Sequence, residues 1–594
     1  MSDSLPNTVW ARAFVDELAR CGVREAVAAP GSRSTPLVMA LARDERVRLR
    51  VHLDERSAAF FALGVGKATG RPAAVVTTSG TAVANLLPAV VEASQTGVPL
   101  LLLTADRPHR LRGADANQAI DQVGIFGSYP RVFHEMAPPS LDGPALRHLR
   151  SVACRAVAAA SGAAAGPVHV NFPFDKPLEP AEPPEDLLSD DPLGVSGRPD
   201  GRPFTQVTEA PGVPSADVLD GLLADLDAQR GVIVAGPARR SDALGPVVQA
   251  LGAATGFPVL ADPLSGARFG SVGGAHVVAA YDLVLGDAEV RERLAPDLIL
   301  RVGASPTSAN LQRWIFQHNG VEHVVIDDGP RWMDHGAAAT RYVRADPVET
   351  LTRLVERVGS GARGADGHGA SKAPLSWADL WHRADEAARG AMADHGCPEG
   401  RVAQAVLASL PAGGTLFVSS SMPIRDVDAF GHPREGALSV LANRGASGID
   451  GVVSTSFGVA SQSGDPVVCL IGDLAYFHDR NGLLWARESD ARVIFVLVDN
   501  DGGGIFHMLP VSDQEPDFTR YFATPHGVDP APVAASHGIA CTDVLVDHLP
   551  MALADALAAG GTTVLRVRTD RSENRRARAD VEESVARSAR AVLG

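Results

Sequence analysis

The sequence predicts an α/β protein made of three doubly wound parallel-sheet domains. Three observations carry that expectation. Apolar runs of strand length alternate with helix-length segments along the chain, the pattern of parallel strands covered on both faces by crossover helices. The 594 residues leave room for about three or four domains of ordinary size. Two stretches rich in Pro, Gly and polar residues, about 183–203 and 359–374, read as linkers and part the chain into blocks 1–182, 204–358 and 375–594. No internal sequence repeat relates the blocks, although all share the strand–helix rhythm.

In the first block the strands are "EAVAAP", "AAVVTTSG" and "VPLLLLTADRP"; in the second "GVIVAGP", "DLILRVG" and "VEHVVIDD"; in the third "DPVVCLIGD", "ARVIFVLVDN" and "TTVLRVRTD". Each is an apolar run ending in Gly, Pro, Asp or Asn, residues that close strands with turns. The middle block carries a Gly-Pro turn but no GxGxxG fingerprint, and no chemistry is assigned to it.

Composition excludes several classes of function. With 54 Lys plus Arg against 70 Asp plus Glu, a net charge of −16, the chain has no domain-sized basic face for a phosphate polymer, and nucleic acid is not an expected partner. The basic run "RSENRRARAD" from Arg571 reads as a solvated helix face. The cysteines Cys21, Cys154, Cys397, Cys469 and Cys541 are widely spaced, which argues against a zinc or disulfide framework. The N-terminal segment lacks a signal-peptide pattern and no apolar window is long enough to span a bilayer, so a cytoplasmic protein without membrane insertion is expected.

The chemistry concentrates at strand ends. In "DPVVCLIGDLAYFHDRNGL" a strand closes on Gly472 and Asp473 as a helix begins, and the following strand closes on Asn500 before the "DGGG" turn. One helix and one strand separate the two sites, which returns them to the same carboxyl edge of a parallel sheet. A carboxylate, an amide oxygen and a backbone carbonyl from the Gly-rich turn form a hard-oxygen set suited to Mg²⁺ shared with a phosphate. Either pair by itself also reads as ordinary turn chemistry; the paired spacing favours the metal.

This run resembles the magnesium and diphosphate motif of thiamine diphosphate enzymes. The resemblance implies Asp473, Asn500 and the Gly502 carbonyl as ligands of Mg²⁺, with Mn²⁺ as a substitute, and Gly472 and Leu474 beside the cofactor. Leu474 stands where most of the family has glycine, and "GDLAYFHDRNGL" is similar to the branch acting in menaquinone biosynthesis on 2-oxoglutarate and isochorismate. That reaction decarboxylates the first and adds the resulting succinyl-semialdehyde carbanion equivalent in 1,4 fashion to the second.

The remaining assignments follow the same resemblance. Glu55 in "RVHLDERSAAFFALG", with Asp54 as N-cap, would hydrogen-bond the aminopyrimidine ring and promote ylid formation; by its residues alone a Glu in a first helical turn only complements the helix dipole. Ser32 and Arg33 in "APGSRSTP" form a substrate turn, which otherwise reads as a cap and a surface Arg. Thr78, Ser79, Arg107, Asn117 and Gln118 line the substrate pocket, although "TSGT" and "DRP" are also ordinary cap and turn sequences. In the third block, Ser421 reaches the diphosphate, Arg425 and Arg444 hold substrate carboxylates, and Ile449 props the cofactor into its bent shape. Ile505 and Phe506 face the substrate. Arg33, Arg107, Gln118, Arg425 and Arg444 join Glu55 as the catalytic set. The resemblance further implies a homodimer or dimer of dimers, with Glu55 and the metal site drawn from different subunits.

Other readings stay open on sequence alone. An acetohydroxyacid synthase or simple 2-oxoacid decarboxylase would carry Gly at Leu474 and would not need four arginines; a FAD-containing relative would need a dinucleotide fingerprint. An inactive ligand-sensing homologue would not need Glu55, Asp473 and Asn500 intact. Asp499 and Asp501, where the family often has Asn, are expected to add negative charge beside the diphosphate. Gly504 replaces a longer polar residue, so one substrate contact is expected to be missing.

Overall fold

The computed structural model describes residues 4–183, 191–270, 273–360, 376–488 and 490–594. Most of the second expected linker and residues 184–190 of the first lie outside the described residues. The rest of the first linker includes a short helix, Pro192–Ser196, capped by Asp191.

Three six-stranded sheets form, and every strand pairing is parallel. The first holds β1 (Glu25–Ala28), β2 (Arg48–Val51), β3 (Ala73–Thr77), β4 (Leu100–Asp106), β5 (Val132–Glu135) and β6 (Pro167–Pro173) in the order β2-β1-β3-β4-β6-β5. The second holds β7 (Gly231–Ala235), β8 (Val259–Ala261), β9 (Val277–Val278), β10 (Leu298–Val302), β11 (Glu322–Ile326) and β12 (Arg341–Val343) in the order β12-β11-β10-β7-β8-β9. The third holds β13 (Thr415–Val418), β14 (Ser439–Ala442), β15 (Val467–Gly472), β16 (Val493–Asp499), β17 (Ala540–Asp543) and β18 (Thr563–Arg568), ordered β14-β13-β15-β16-β18-β17. Their central strands are buried along their length, so both faces carry Val, Leu and Ile.

The first and third sheets share one strand order. This repeat of architecture has no counterpart in the residues, because strand order depends on crossover packing rather than on local periodicity. The second sheet has the order of a dinucleotide-binding fold, yet the turn after β7 lacks the glycine fingerprint such a site uses. Among the described residues no helix is long and apolar enough to cross a membrane.

The chain packs as two compact units, and the division does not follow sequence order. One comprises Met1–Ala210, Asn443–Gly464 and His478–Arg492; the other comprises Pro211–Ala442, Asp465–Phe477 and Val493–Gly594. Within the first, helix Glu55–Thr69 crosses helix Val452–Ala460 at glycines. A Cβ on Gly64 would lie 2.2 Å from the Thr455 carbonyl oxygen, and one on Gly458 would lie 2.0 Å from that of Phe61. Only glycine permits this approach. Ser57 Oγ and Ser454 Oγ meet at 2.7 Å across the crossing, and the Trp485 ring stacks on Phe61 and His52 at 4.0 and 4.5 Å.

The basic run after Arg571 opens the helix Arg571–Leu593, but the expectation of a solvated face needs correction. Arg578 is buried and bonds Asp426 at 2.7 Å, and Arg571 donates to the carbonyls of Asn500 and Asp501. One face of the run anchors the third sheet's loops because its apolar spacing turns those arginines inward.

Candidate active site

The residues singled out from the sequence are divided between the two units. In the first unit, Asp54 caps helix Glu55–Thr69 by accepting the N–H groups of Arg56 and Ser57 at 2.9 and 3.3 Å. The cap is independent of Glu55, which stands at the first helical position, half-buried, with Asn85 Nδ2 at 3.4 Å from its carboxylate. The glutamate is thus held at a defined place by a rigid helix without being consumed in its capping.

Arg33 and Arg107 are both buried at the carboxyl end of the first sheet. Arg107 donates to Ser79 Oγ and, at 2.8 Å, to the Asn117 carbonyl; Gln118 Nε2 returns 2.9 Å to the Ser79 carbonyl. Arg33 Nη1 donates to the Phe174 carbonyl at 2.9 Å, while its buried Nε has no partner among the described residues. Burial, and next the Arg107 charge, hold the Arg33 guanidinium below its usual range. Two cations packed together with an unsatisfied donor make a site that an anion would complete. Thr78 is buried in this cluster, whereas Ser32, Asn117 and Gln118 are exposed at its mouth.

Arg444 and Ile449 lie on a turn of the same unit. Glu92 accepts the N–H groups of Gly445 and Ala446 at 3.0 and 2.8 Å and pairs with Lys67 Nζ at 3.4 Å. Both partners are buried, so the pair fixes this turn on the first-sheet helices. Neither had a signal in the sequence, because a Glu and a Lys on separate helices are unremarkable until packed together.

The second unit holds the residues expected to bind a metal. β15 and β16 are adjacent, with Gly472 opposite Val498, so Asp473 and Asn500 leave the same edge of the third sheet. Asp473 is buried and accepts the Leu474 N–H at 2.6 Å and the Gly502 N–H at 2.9 Å. Gly502 adopts φ +139° beneath the Ala523 carbonyl oxygen, which a Cβ would approach to 2.1 Å. Asn500 Nδ2 donates to Glu399 at 2.8 Å, while Asn500 Oδ1 is buried with no partner among the described residues. An acceptor held out in this way, beside a carboxylate that burial pushes above its usual range, fits a hard divalent cation. His526 Nε2 stands 3.3 Å from Asp473 Oδ2, another neighbour with no sequence signal.

The two aspartates expected to add negative charge have local partners. Asp499 accepts two bonds at 2.6 Å from Arg566 of β18, and Asp501 accepts the N–H groups of His526 and Gly527 at 2.9 and 2.7 Å. Both carboxylates are committed to local partners. Ser421 precedes helix Met422–Phe430 at φ 74° without a side-chain capping bond, and its carbonyl accepts from Arg425 Nη1 at 2.7 Å. Ile505 and Phe506 sit half-buried in the short 3-10 helix Gly504–Met508.

Glu399 is the residue that sequence reasoning missed most clearly. It sits in the first turn of helix Pro398–Ser409 and accepts from both Asn500 Nδ2 and, at 2.9 Å, Thr569 Oγ1. Burial pushes its carboxyl above the usual range, and these bonds offset part of that. Fixing Nδ2 fixes which atom of Asn500 faces the cluster. Glu399→Ala is expected to raise the Mg²⁺ dissociation constant about 10–100-fold by calorimetry, with Glu399→Gln close to the parent; an unchanged constant in the alanine variant would remove the orienting role.

Residues 9–125 match the family model "Thiamine pyrophosphate enzyme, N-terminal TPP binding domain", 200–418 match "Middle domain of thiamine pyrophosphate", and 432–567 match "Thiamine pyrophosphate enzyme, C-terminal TPP binding domain". The chain is similar to 2-succinyl-5-enolpyruvyl-6-hydroxy-3-cyclohexene-1-carboxylate synthase of Halobacterium salinarum, 45% identical with 98% of each chain covered. The synthase of the same name from Halorubrum lacusprofundi is 43% identical over 98% of each chain, and that of Chloroflexus aurantiacus 42% over 96% of this chain and 94% of its own. Among solved structures, benzoylformate decarboxylase of Polynucleobacter necessarius superposes with a TM-score of 0.69 at 18% identity, covering 95% of this chain and 98% of its own, a likeness of fold.

Proposed function

Because the chain belongs to the thiamine diphosphate-dependent 2-succinyl-5-enolpyruvyl-6-hydroxy-3-cyclohexene-1-carboxylate synthases, transferases of menaquinone biosynthesis, we propose that it decarboxylates 2-oxoglutarate and adds the resulting four-carbon unit to isochorismate. Two observations support this most: one unit has a buried two-arginine cluster, and the other has a hard-oxygen cluster whose amide acceptor has no partner among the described residues. Both substrates are carboxylates, and guanidinium forks orient carboxylates for bond formation.

In this reading Asp473, Asn500 Oδ1 and the Gly502 carbonyl hold Mg²⁺, with Gly472, Leu474 and Ser421 beside the diphosphate. The bound cofactor supplies a nucleophilic carbon and an electron sink for decarboxylation. Glu55 would hold and move a proton at the bound cofactor, and Ile449 would give it apolar support. Arg33, Arg107, Arg425 and Arg444 hold substrate carboxylates, Gln118, Asn117, Ser32, Thr78 and Ser79 shape the polar wall, and Ile505 and Phe506 shape the apolar one. The three sheets serve as domains 1–182, 204–358 and 375–594, the middle one structural or regulatory. The enzyme works in the cytoplasm as a homodimer or dimer of dimers, each site taking Glu55 from one copy and the metal cluster from the other.

The test is isochorismate consumption with 2-oxoglutarate, thiamine diphosphate and Mg²⁺, each omitted in turn, and with pyruvate replacing 2-oxoglutarate. Consumption that needs all three and fails with pyruvate supports the reading. Carbon dioxide release from pyruvate with isochorismate untouched would sink the arginine assignments.

A further inference from the structure

Away from the clusters above, the first unit brings together three side chains that the sequence keeps apart. Glu17 and Cys21 lie one turn apart at the end of helix Leu5–Arg20, and Cys154 faces them from helix Gly143–Ala160. Cys21 Sγ and Cys154 Sγ are 3.6 Å apart, Cys154 Sγ is 3.4 Å from Glu17 Oε1, and one ligand atom from each residue lies within 4.8 Å of the others. Wide spacing in the sequence argued against a metal framework; helix packing removes that objection.

The separations carry chemical meaning. In a tetrahedral zinc site with bonds of about 2.3 Å to sulfur and about 2.0 Å to oxygen, ligands stand about 3.8 Å apart for two sulfurs and about 3.5 Å for sulfur and oxygen. The measured pairs are within a few tenths of an ångström of those edges. The surroundings are equally specific. Glu17 Oε2 is anchored by buried Arg150 at 2.8 Å, which leaves Oε1 toward the sulfurs. The Phe204 N–H donates to Glu17 Oε1, and the Thr205 N–H donates to Cys154 Sγ at 3.3 Å, the outer bonds that steady carboxylate and thiolate ligands. Cys21 is partly exposed, which gives an ion a way in and leaves a side for a water ligand.

We propose that Glu17, Cys21 and Cys154 form a site, completed by water, for a thiophilic divalent cation of the zinc class. Two sulfurs and one oxygen select such ions over Mg²⁺ or Ca²⁺. Binding releases the thiol protons to solvent. The site ties two helices to residues 204 and 205 of the same unit and is independent of the assigned reaction.

The test uses the reduced full-length protein titrated with Co²⁺, whose thiolate charge-transfer absorption does not arise from the oxygen ligands around Asp473. About one equivalent per chain is expected to bind with that band, to be displaced by Zn²⁺ and to persist in excess Mg²⁺. Cys21→Ser is expected to lose the band while keeping the parent circular dichroism and activity, and Glu17→Gln to weaken binding about tenfold or more. Absence of the band in the parent protein, or an equal band in Cys21→Ser, would overturn the site. So would oxidation of the two thiols to a disulfide at the same rate with and without Zn²⁺, since coordinated thiolates resist it.

Discussion

Glu55→Gln is expected to bind thiamine diphosphate and Mg²⁺ almost as the parent chain does and to turn over roughly 10²–10⁴-fold more slowly. The change keeps size and hydrogen-bonding capacity but removes the proton that a carboxyl group exchanges. Helix structure should not suffer, because the cap belongs to Asp54, and Ser57 ties the helix to its neighbour. Cofactor affinity by calorimetry and kcat under saturating substrates separate the two effects. Near-parent kcat would remove Glu55 from the proton relay; lost cofactor affinity with normal residual kcat would make it a binding residue only.

Asp473→Ala is expected to abolish Mg²⁺-dependent retention of the cofactor, with affinity falling more than ~100-fold, beyond the loss typical of an outer-shell residue. The substitution removes a negative ligand and leaves the Leu474 and Gly502 N–H groups without their carboxylate acceptor. Asp473→Asn separates these causes, since its amide oxygen still accepts a bond without carrying charge. Cofactor remaining after gel filtration, with and without Mg²⁺, is the readout. If the alanine variant retains cofactor as tightly as the parent, the diphosphate clamp lies elsewhere in the chain.

What the sequence made legible was local. Gly472–Asp473 and Asp499–Asn500 mark strand ends by turn chemistry, and their spacing puts them on adjacent parallel strands, which β15 and β16 are. Asp54 was readable as a cap for the same reason. The residues that orient the site were not legible, because each acts across a long separation. Glu399 reaches Asn500 from another helix, Glu92 holds the Arg444 turn from the first sheet's helices, and Arg566 pairs with Asp499 from a strand that follows it. Periodicity reports which face of an element is buried; it carries no information about which element covers that face.

The glycine crossing of helix Glu55–Thr69 with helix Val452–Ala460 bears on how the protein is made. Ser57 meets Ser454 across 397 positions of sequence, and the Trp485 ring that covers Phe61 comes later still. During synthesis at about 5–20 residues per second, the first sheet emerges long before its covering helix exists. For tens of seconds the nascent chain displays the bare face of Phe60, Phe61 and Gly64. Vectorial translation therefore delays completion of the Glu55 helix's packing until most of the polypeptide has left the ribosome.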